Sequence, residues 1–231
     1  MQNPEAMDVF GIFAKQPVPG RVKTRIAVDL GEQRAADLAA AFVGDLAERF
    51  GSTADQRFLC YAPDDQPSRD YFQTLGAANY ELWAQPSSAL GERMEAFFGD
   101  AFAGGAKHVV VIGSDSPSLP VDIVHEAFEQ LSAHDCVLGP ATDGGYYLIG
   151  QRSASRPLFN EIEWGSNRVF SQTLERLRRA GASLALLPPW YDVDTLEALR
   201  MLDGHLQAID SANSEHFSER TSRLLADLFA K

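Results

Sequence analysis

The sequence predicts an α/β fold in which a mostly parallel sheet carries helices on both faces. Short apolar runs alternate with amphipathic stretches along most of the 231 residues, the pattern of strands joined by crossover helices. Val109–Ile112 is a continuous β-branched run, typical of a central strand buried on both faces. Gly113 and Pro117 end this strand and leave Asp115 at its carboxyl end, the edge at which open α/β sheets bind ligands. The alternative role of Asp115 is to cap a turn or the helix that follows Pro120.

The other elements follow from apolar periodicity, in chain order. Asp8–Ala14 is an apolar run that predicts the first strand, and Gly31–Phe50 carries its apolar residues at helical spacing. Further strands are predicted at Arg57–Tyr61, Tyr80–Ala84, Asp135–Gly139, Tyr146–Gly150 and Ser183–Leu187. Further helices are predicted at Pro67–Leu75, Leu90–Phe102, Val121–Leu131, Arg168–Ala180, Leu196–Ala208 and Ser214–Phe229.

Caps and turns define the connections between these elements. Ser166 or Asn167 is expected to cap the helix that starts at Arg168, and Asp194 or Thr195 the helix after it. Arg156–Glu163 reads as irregular chain or a short helix. No linker or repeat divides the chain, so one domain spanning residues 1–231 is predicted, with the segment 139–166 as a lid-like subregion.

Composition excludes several classes of function. The net charge of -12 argues against nucleic acid or an anionic membrane as the main partner, because both require basic patches. No signal pattern and no long apolar span occurs, so we expect a soluble cytoplasmic protein. Cys60 and Cys136 lie in apolar runs and are expected to be buried thiols, and the scattered histidines to be surface or cap residues.

The loop Lys15–Arg25 concentrates cations in an otherwise acidic protein. Two prolines and a glycine keep it out of regular structure, and its cationic side chains suggest an anion site. These are Lys15, Arg21, Lys23 and Arg25. The spacing of a Walker P-loop is absent, and the alternative is a solvated basic loop.

Carboxylates follow two of the predicted strands. If Asp115 and Asp194 meet at one sheet edge, they could hold a magnesium ion, which takes one or two carboxylates and completes its shell with water and phosphate oxygens. Arg21, Lys23 and Arg25 would then neutralise the remaining phosphate charge. This pattern points to metal-assisted phosphate chemistry.

Five motifs in order add a resemblance: F-A-K-Q-P-V-P-G-R-V-K-T-R, L-G-E-R-M, G-S-D-S-P-S-L, G-P-A-T-D-G-G-Y-Y-L-I-G and D-V-D-T. Together they resemble a bacterial family of glycosyltransferases or nucleotide-diphospho-sugar transferases, which is similar to phospholactate guanylyltransferase and molybdenum cofactor guanylyltransferase. The resemblance implies a Rossmann-like three-layer α/β/α sandwich of GT-A type. It also implies an acidic residue near position 118, where this chain has Ser118.

The resemblance implies a site as well. Nucleotide contacts are expected from Phe13, Ala14, Lys15, Gly20, Lys23, Arg25, Gln85, Gly91, Arg93 and Ser114. Acceptor contacts are expected from Gly144, Gly145, Tyr146 and Trp164. Lys23, Asp115 and Asp143 are the expected catalytic residues. Mg²⁺ or Mn²⁺ is expected on Asp115 and Asp194, with Asp192 as an alternative ligand.

The leading hypothesis is a metal-dependent transferase with a nucleotide or nucleotide-sugar donor and a small-molecule acceptor. In a glycosyl transfer, Asp143 is the candidate base. Alternatives are nucleotidyl transfer to a small phosphorylated acceptor, and a nucleotide-binding module without catalysis. No G-x-G-x-x-G follows the first strand, which argues against a dinucleotide-dependent oxidoreductase.

Overall fold

The computed structural model describes residues 7–76, 79–153, 158–212 and 218–230. The strands are β1 (Met7–Lys15), β2 (Gln56–Ala62), β3 (Glu81–Ala84), β4 (Ala106–Gly113), β5 (Cys136–Pro140), β6 (Tyr146–Gln151) and β7 (Leu184–Leu186). The helices are α1 (Thr24–Leu30), α2 (Glu32–Arg49), α3 (Gln66–Gly76), α4 (Leu90–Ala103), α5 (Val121–Leu131), α6 (Val169–Arg179), α7 (Leu196–Ser211) and α8 (Glu219–Phe229).

The strands form one sheet in the order β3-β2-β1-β4-β6-β5-β7. β1 pairs in parallel with β2 and β4, β2 with β3, and β5 with β7. β6 is antiparallel to both of its neighbours, β4 and β5. The predicted mostly parallel sheet is therefore confirmed. The segment 139–166 is only partly a separate subregion, since β6 lies inside the sheet.

Strand β4 lies at the centre of the hydrophobic core. Val110 and Ile112 face the cluster formed with α2 and α5, and Val109 and Val111 face the cluster formed with α4 and α6. All four side chains are 3% exposed or less, as expected for a strand covered on both faces. Burial of each stabilises the fold by roughly 1.5–3 kcal/mol, so this strand firmly anchors the loop that follows it.

The starts of α1 and α8 differ most from the prediction. The sequence placed irregular chain up to Arg25, but α1 begins at Thr24, where buried Ile26 anchors it to the core, and Gly31 with φ 84° separates it from α2. Helix α8 begins at Glu219 rather than at Ser214, and residues 214–217 lie outside the described part. Of the expected irregular segment from Arg156, the first two residues also lie outside it.

One histidine, predicted as a surface or cap residue, is buried in the structure. His108 of β4 is buried rather than at the surface, and its Nδ1 lies 2.8 Å from Asp8 Oδ1. His205 Nδ1 lies 2.6 Å from the hydroxyl of Tyr191. Cys60 and Cys136 are buried as predicted, and burial raises the pKa of the Cys60 thiol.

Within the described part of the chain, no helix is both long enough and apolar enough to cross a membrane.

Candidate functional site

Two adjoining cavities open at the carboxyl ends of β1 and β4. The first cavity has a volume of about 500 Å³, and the second about 540 Å³. The residues common to both are Phe13, Arg25, Leu90, Gly113, Asp115 and Asp194. In the sheet register Phe13 lies opposite Gly113, so the loops that follow β1 and β4 leave the sheet side by side. The site therefore lies at the edge that the sequence predicts.

The cationic loop after β1 forms one wall of the first cavity. Gly20 turns the chain with φ 77°, and Val22 packs on α2 against Ala36 and Ala39. Lys23 has the left-handed φ of 46°, which is uncommon for a residue with a side chain, and α1 starts immediately after it. The wall includes the four predicted cations of this loop, Lys15, Arg21, Lys23 and Arg25.

The ammonium group of Lys23 lies between the two predicted metal ligands. Its Nζ donates to Asp115 Oδ1, to Asp194 Oδ1 at 2.9 Å and to the carbonyl of Val193 at 2.8 Å. It also lies 5.2 Å from the ring centroid of Phe42. The Lys23 side chain is only 5% exposed, whereas both carboxylates are about half exposed. Burial lowers the pKa of Lys23, but the carboxylates of Asp115 and Asp194 outweigh this effect and raise the pKa above its ordinary value.

A backbone hydrogen bond connects the loop that carries Asp115 to the segment that carries Asp194. The amide of Val193 donates to the carbonyl of Asp115 at 2.8 Å, which fixes the D-V-D segment beside the loop after β4. Thr195 caps α7 through a bond from the Ala198 amide to its Oγ1, so of the two predicted caps the threonine has this role. Asp194 is therefore left to face the cavities.

Asp192, the alternative metal ligand, also lines the second cavity. Its Oδ1 accepts a hydrogen bond of 2.6 Å from the buried hydroxyl of Ser116. The pKa of Asp192 is raised to about 6, chiefly by burial; the Ser116 hydrogen bond opposes this rise, and the nearby carboxylates of Asp115, Asp143 and Asp194 add to it. Asp192 is thus the carboxylate of the second cavity whose pKa responds to the other three.

A buried network supports the D-V-D segment from below. Ser118 donates to the hydroxyl of Tyr191 at 2.9 Å and accepts from Trp190 Nε1 at 3.3 Å. Ser118 is 4% exposed and lines neither cavity. An acidic residue is expected near this position from the resemblance, but Ser118 does not face either cavity. Its hydroxyl instead joins the loop after β4 to Tyr191.

The far side of the first cavity is built by the segment after β3. Gln85 is buried, and its side-chain amide donates to the carbonyl of Cys60 at 2.6 Å. Arg93 donates from Nε to the carbonyl of Ser88 at 2.6 Å. Both line the cavity together with Leu90, the first residue of the L-G-E-R-M motif.

The second cavity has an aromatic wall. The rings of Tyr146 and Trp164 meet edge to face with centroids 6.3 Å apart. Asp143 follows on the same side, where its Oδ1 accepts a hydrogen bond of 2.8 Å from the Gly145 amide. Asn167 also lines this cavity and was not predicted. Of the predicted acceptor residues, Gly145, Tyr146 and Trp164 line it.

Three predicted glycines lie behind the walls of the cavities. A Cβ on Gly91 would lie 2.7 Å from Trp164 Nε1, and one on Gly144 would lie 2.5 Å from the carbonyl oxygen of Asn167. Gly20 has a positive φ and lies against the carboxylate of Glu32. These glycines allow close approach between segments, and none is among the lining residues. The other predicted nucleotide residues line the first cavity, and they are Phe13, Ala14, Lys15, Lys23, Arg25, Gln85, Arg93 and Ser114.

The donor set of Asp115 and Asp194 suits a hard divalent cation that shares its shell with water and phosphate oxygens. No group of three or more His, Cys, Asp and Glu side chains in the described ranges is arranged to hold a metal ion alone. The Lys23 ammonium already bonds both carboxylates, so a cation held by both would have to displace it. The role of this pair as metal ligands stays a prediction.

Comparison with solved structures places this geometry in a known fold. A crystal structure from Desulfovibrio desulfuricans G20, named "putative nucleotide-diphospho-sugar transferase", is 35% identical, with a TM-score of 0.88 over 96% of this chain and 95% of that one. A nucleotidyl transferase from a Methanothermobacter species is 13% identical, with a TM-score of 0.59 over 87% and 99% of the two chains.

A third solved structure is the 4-diphosphocytidyl-2C-methyl-D-erythritol synthase of Anaerococcus prevotii, 12% identical, with a TM-score of 0.58 over 87% of this chain and 99% of that one. The predicted GT-A-type fold class is thereby confirmed. No functionally curated protein matches the chain.

A family model matches residues 46–166, which include β4, the loop with Asp115 and the D-G-G turn. That match covers more than half of the chain, and the Desulfovibrio structure covers nearly all of it. The chain belongs to DUF2064, a family described as an uncharacterized protein conserved in bacteria.

Proposed function

We propose that this protein is a transferase that moves a sugar from a nucleotide-sugar donor to a small-molecule acceptor. The observation that carries the proposal is the cationic first cavity, which meets the second cavity at two converging carboxylates, Asp115 and Asp194. The name of the 35% identical Desulfovibrio protein supports a nucleotide-sugar donor.

The first cavity would hold the donor. Arg21 and Arg25 are exposed cations on its wall and would bind the diphosphate oxygens. Gln85 and Arg93 lie across the cavity and would face the nucleoside. Lys23 would hold Asp115 and Asp194 together before the donor binds, and would turn its ammonium to the phosphates afterwards.

The second cavity would hold the acceptor. An acceptor hydroxyl oxygen forms a bond to the sugar carbon while the bond from that carbon to the diphosphate oxygen breaks. The electron pair leaves with the nucleotide, and the hydroxyl proton passes to a carboxylate, for which Asp143 is the candidate. A divalent cation on Asp115 and Asp194 would stabilise the charge that develops on the leaving diphosphate.

Removal of one converging carboxylate tests the donor site. We expect Asp115→Ala to weaken manganese-dependent binding of nucleoside diphosphates at least tenfold, because a shared cation loses one of its two protein ligands. Calorimetric titration with UDP, GDP and CDP, with and without Mn²⁺, measures this loss. Asp194 and the carbonyl of Val193 still accept from Lys23 in this variant, so it should fold, with a melting temperature at most a few degrees below that of the wild type.

The matched control is Asp227→Asn, an exposed carboxylate on α8, which should bind as the wild type does. Unchanged manganese-enhanced affinity in Asp115→Ala contradicts the metal assignment. Mass spectrometry of the products then distinguishes sugar transfer from nucleotidyl transfer. Sugar transfer from a UDP- or GDP-sugar supports the proposal, and pyrophosphate release from a nucleoside triphosphate supports nucleotidyl transfer instead.

A further inference from the structure

The two cavities carry opposite charge although they share a boundary. Five cationic and two acidic side chains line the first cavity. Among the described residues that line the second cavity, Arg25 is the single cation, against four carboxylates. Asp115 and Asp194 belong to both cavities, and Asp143 and Asp192 line the second cavity alone. A ligand that spans the site therefore meets a cationic region on one side and an acidic region on the other.

Asp143 and Asp192, the carboxylates that line the second cavity alone, are fixed by hydrogen bonds from neighbouring residues. The amide of Gly145 donates to Asp143 Oδ1, and the Ser116 hydroxyl donates to Asp192 Oδ1. Ser116 is 4% exposed, so this donor is part of the packed structure. An ionised carboxylate only accepts hydrogen bonds. These groups favour ligand hydroxyls, and they repel a phosphate.

A divalent cation at the boundary would not reverse this preference. It would balance the charge of Asp115 and Asp194 and leave Asp143 and Asp192 facing Arg25 alone. Arg25 also lines the first cavity, where it would be engaged by the donor. The second cavity thus stays acidic in the state in which an acceptor would enter.

The remaining walls suit a ring with an apolar face. Tyr146 and Trp164 offer aromatic surface, and Leu90, which is 40% exposed, offers aliphatic surface. Asn167 supplies an amide that can both donate and accept. A cavity of about 540 Å³ lies within the range of small-ligand sites.

We propose that the second cavity selects an acceptor that bears hydroxyl groups and carries no phosphate or other anionic group. Its chemical class is a neutral polyol with an apolar face, of the size of a mono- or disaccharide. The inference rests on the proposed transferase function and narrows it. Phosphorylated small molecules, the acceptors of the alternative nucleotidyl transfer, are rejected by the carboxylates.

Saturation-transfer NMR on the full chain tests this selectivity. The protein is loaded with the nucleoside diphosphate that binds best and with Mg²⁺, in the absence of Mn²⁺. The ligands are methyl glucoside, methyl galactoside and methyl mannoside, each compared with the corresponding sugar 1-phosphate at equal concentration. We expect saturation-transfer signals from the neutral glycosides and none from the sugar phosphates. The Trp164→Ala variant should lose the glycoside signals. Equal or stronger signals from the phosphates overturn the inference, and so does the absence of any glycoside signal.

A charge variant provides a second readout that does not depend on which sugar is best. Asp143→Asn should strengthen sugar-phosphate binding roughly threefold to tenfold relative to neutral glycosides, because one unit of repulsion is removed. Asp227→Asn should leave the ratio unchanged. If Asp143→Asn does not alter it, the carboxylates do not set the selectivity. Failure of nucleotide binding itself contradicts the proposed function, whereas nucleotide binding with phosphate preference contradicts only this inference.

Discussion

Lys23 shows how one residue can depend on contacts distant in sequence. Its left-handed backbone costs a non-glycine residue roughly 1–3 kcal/mol, and its ammonium bonds carboxylates 92 and 171 positions away. The sequence predicts a cationic loop and two converging carboxylates. It does not predict that Lys23 bonds both of them, because that pairing depends on the positions of three separate loops.

His108 provides a prediction for the effect of pH. Burial lowers the pKa of this imidazole, and the nearby carboxylate of Asp8 opposes the shift only in part. The folded state therefore binds fewer protons than the unfolded state, so protonation favours unfolding as the pH falls below the unfolded pKa of about 6.5. We expect the free energy of unfolding to fall between pH 7.5 and pH 5.0, and His108→Gln to reduce this fall.

Urea unfolding at both pH values measures the effect. His125→Gln, an exposed histidine on α5, is the matched control and should keep the pH dependence of the wild type. If the wild type instead gains stability relative to His108→Gln at pH 5.0, the ion pair with Asp8 dominates and the direction assigned to the pKa is wrong.

At the scale of elements, Arg49 connects the end of α2 to the loop after β4. Its Nη1 donates to the carbonyls of Pro117 at 2.7 Å and Leu119 at 2.8 Å, and its Nη2 donates to Ser218 Oγ at 2.6 Å. Ser218 Oγ also donates to the Pro117 carbonyl at 2.8 Å. The loop that presents Asp115 is thus held from behind by a helix and by the residue before α8.

We expect Arg49→Met to lower the free energy of unfolding by about 2–4 kcal/mol, because buried carbonyl groups lose their donor. Manganese-dependent nucleotide affinity should fall as well, since the Asp115 loop is less well fixed. Urea titration and calorimetry measure the two effects. Arg223→Met, which removes an exposed ion pair with Glu219, should change stability by less than about 0.5 kcal/mol. A loss in Arg49→Met no larger than in this control contradicts the role of Arg49.

The sequence predicted the elements with the clearest periodicity. β4 was recognisable because its β-branched run is buried on both faces, and α5 because its apolar residues keep helical spacing. α1 was missed because seven residues give too short a pattern, and its conformation depends on packing of Ile26. The antiparallel direction of β6 follows from the short connection that precedes it. Only five residues separate Pro140 from Tyr146, too few for a parallel crossover.

At the scale of the whole molecule, local and global charge act in opposite directions. The chain carries a net charge of -12, yet five cations line the first cavity. Salt screens both the attraction of an anion by the lining cations and its repulsion by the overall negative charge. The sign of the salt dependence therefore shows which of the two dominates nucleotide binding. We expect the Kd for a nucleoside diphosphate to rise several-fold between 0.05 M and 0.5 M NaCl, because the lining cations act at shorter range than the overall acidic charge.

Calorimetry at constant Mg²⁺ measures this dependence, and a neutral nucleoside serves as the control whose affinity should change little. A Kd that falls with salt means that the acidic surface, and not the cavity wall, governs the approach of the anion.

The reversed direction of β6 has a consequence for how such a protein can diversify. Loops that line the first cavity leave the sheet at the ends of β1 and β4, whereas Asp143 and Gly145 come just before β6 begins. The hairpin between β5 and β6 can therefore lengthen or change composition without altering the cationic loop after β1. Evolution could exchange one half of the substrate pair while conserving the other, so relatives with the same nucleotide chemistry need not share a second substrate.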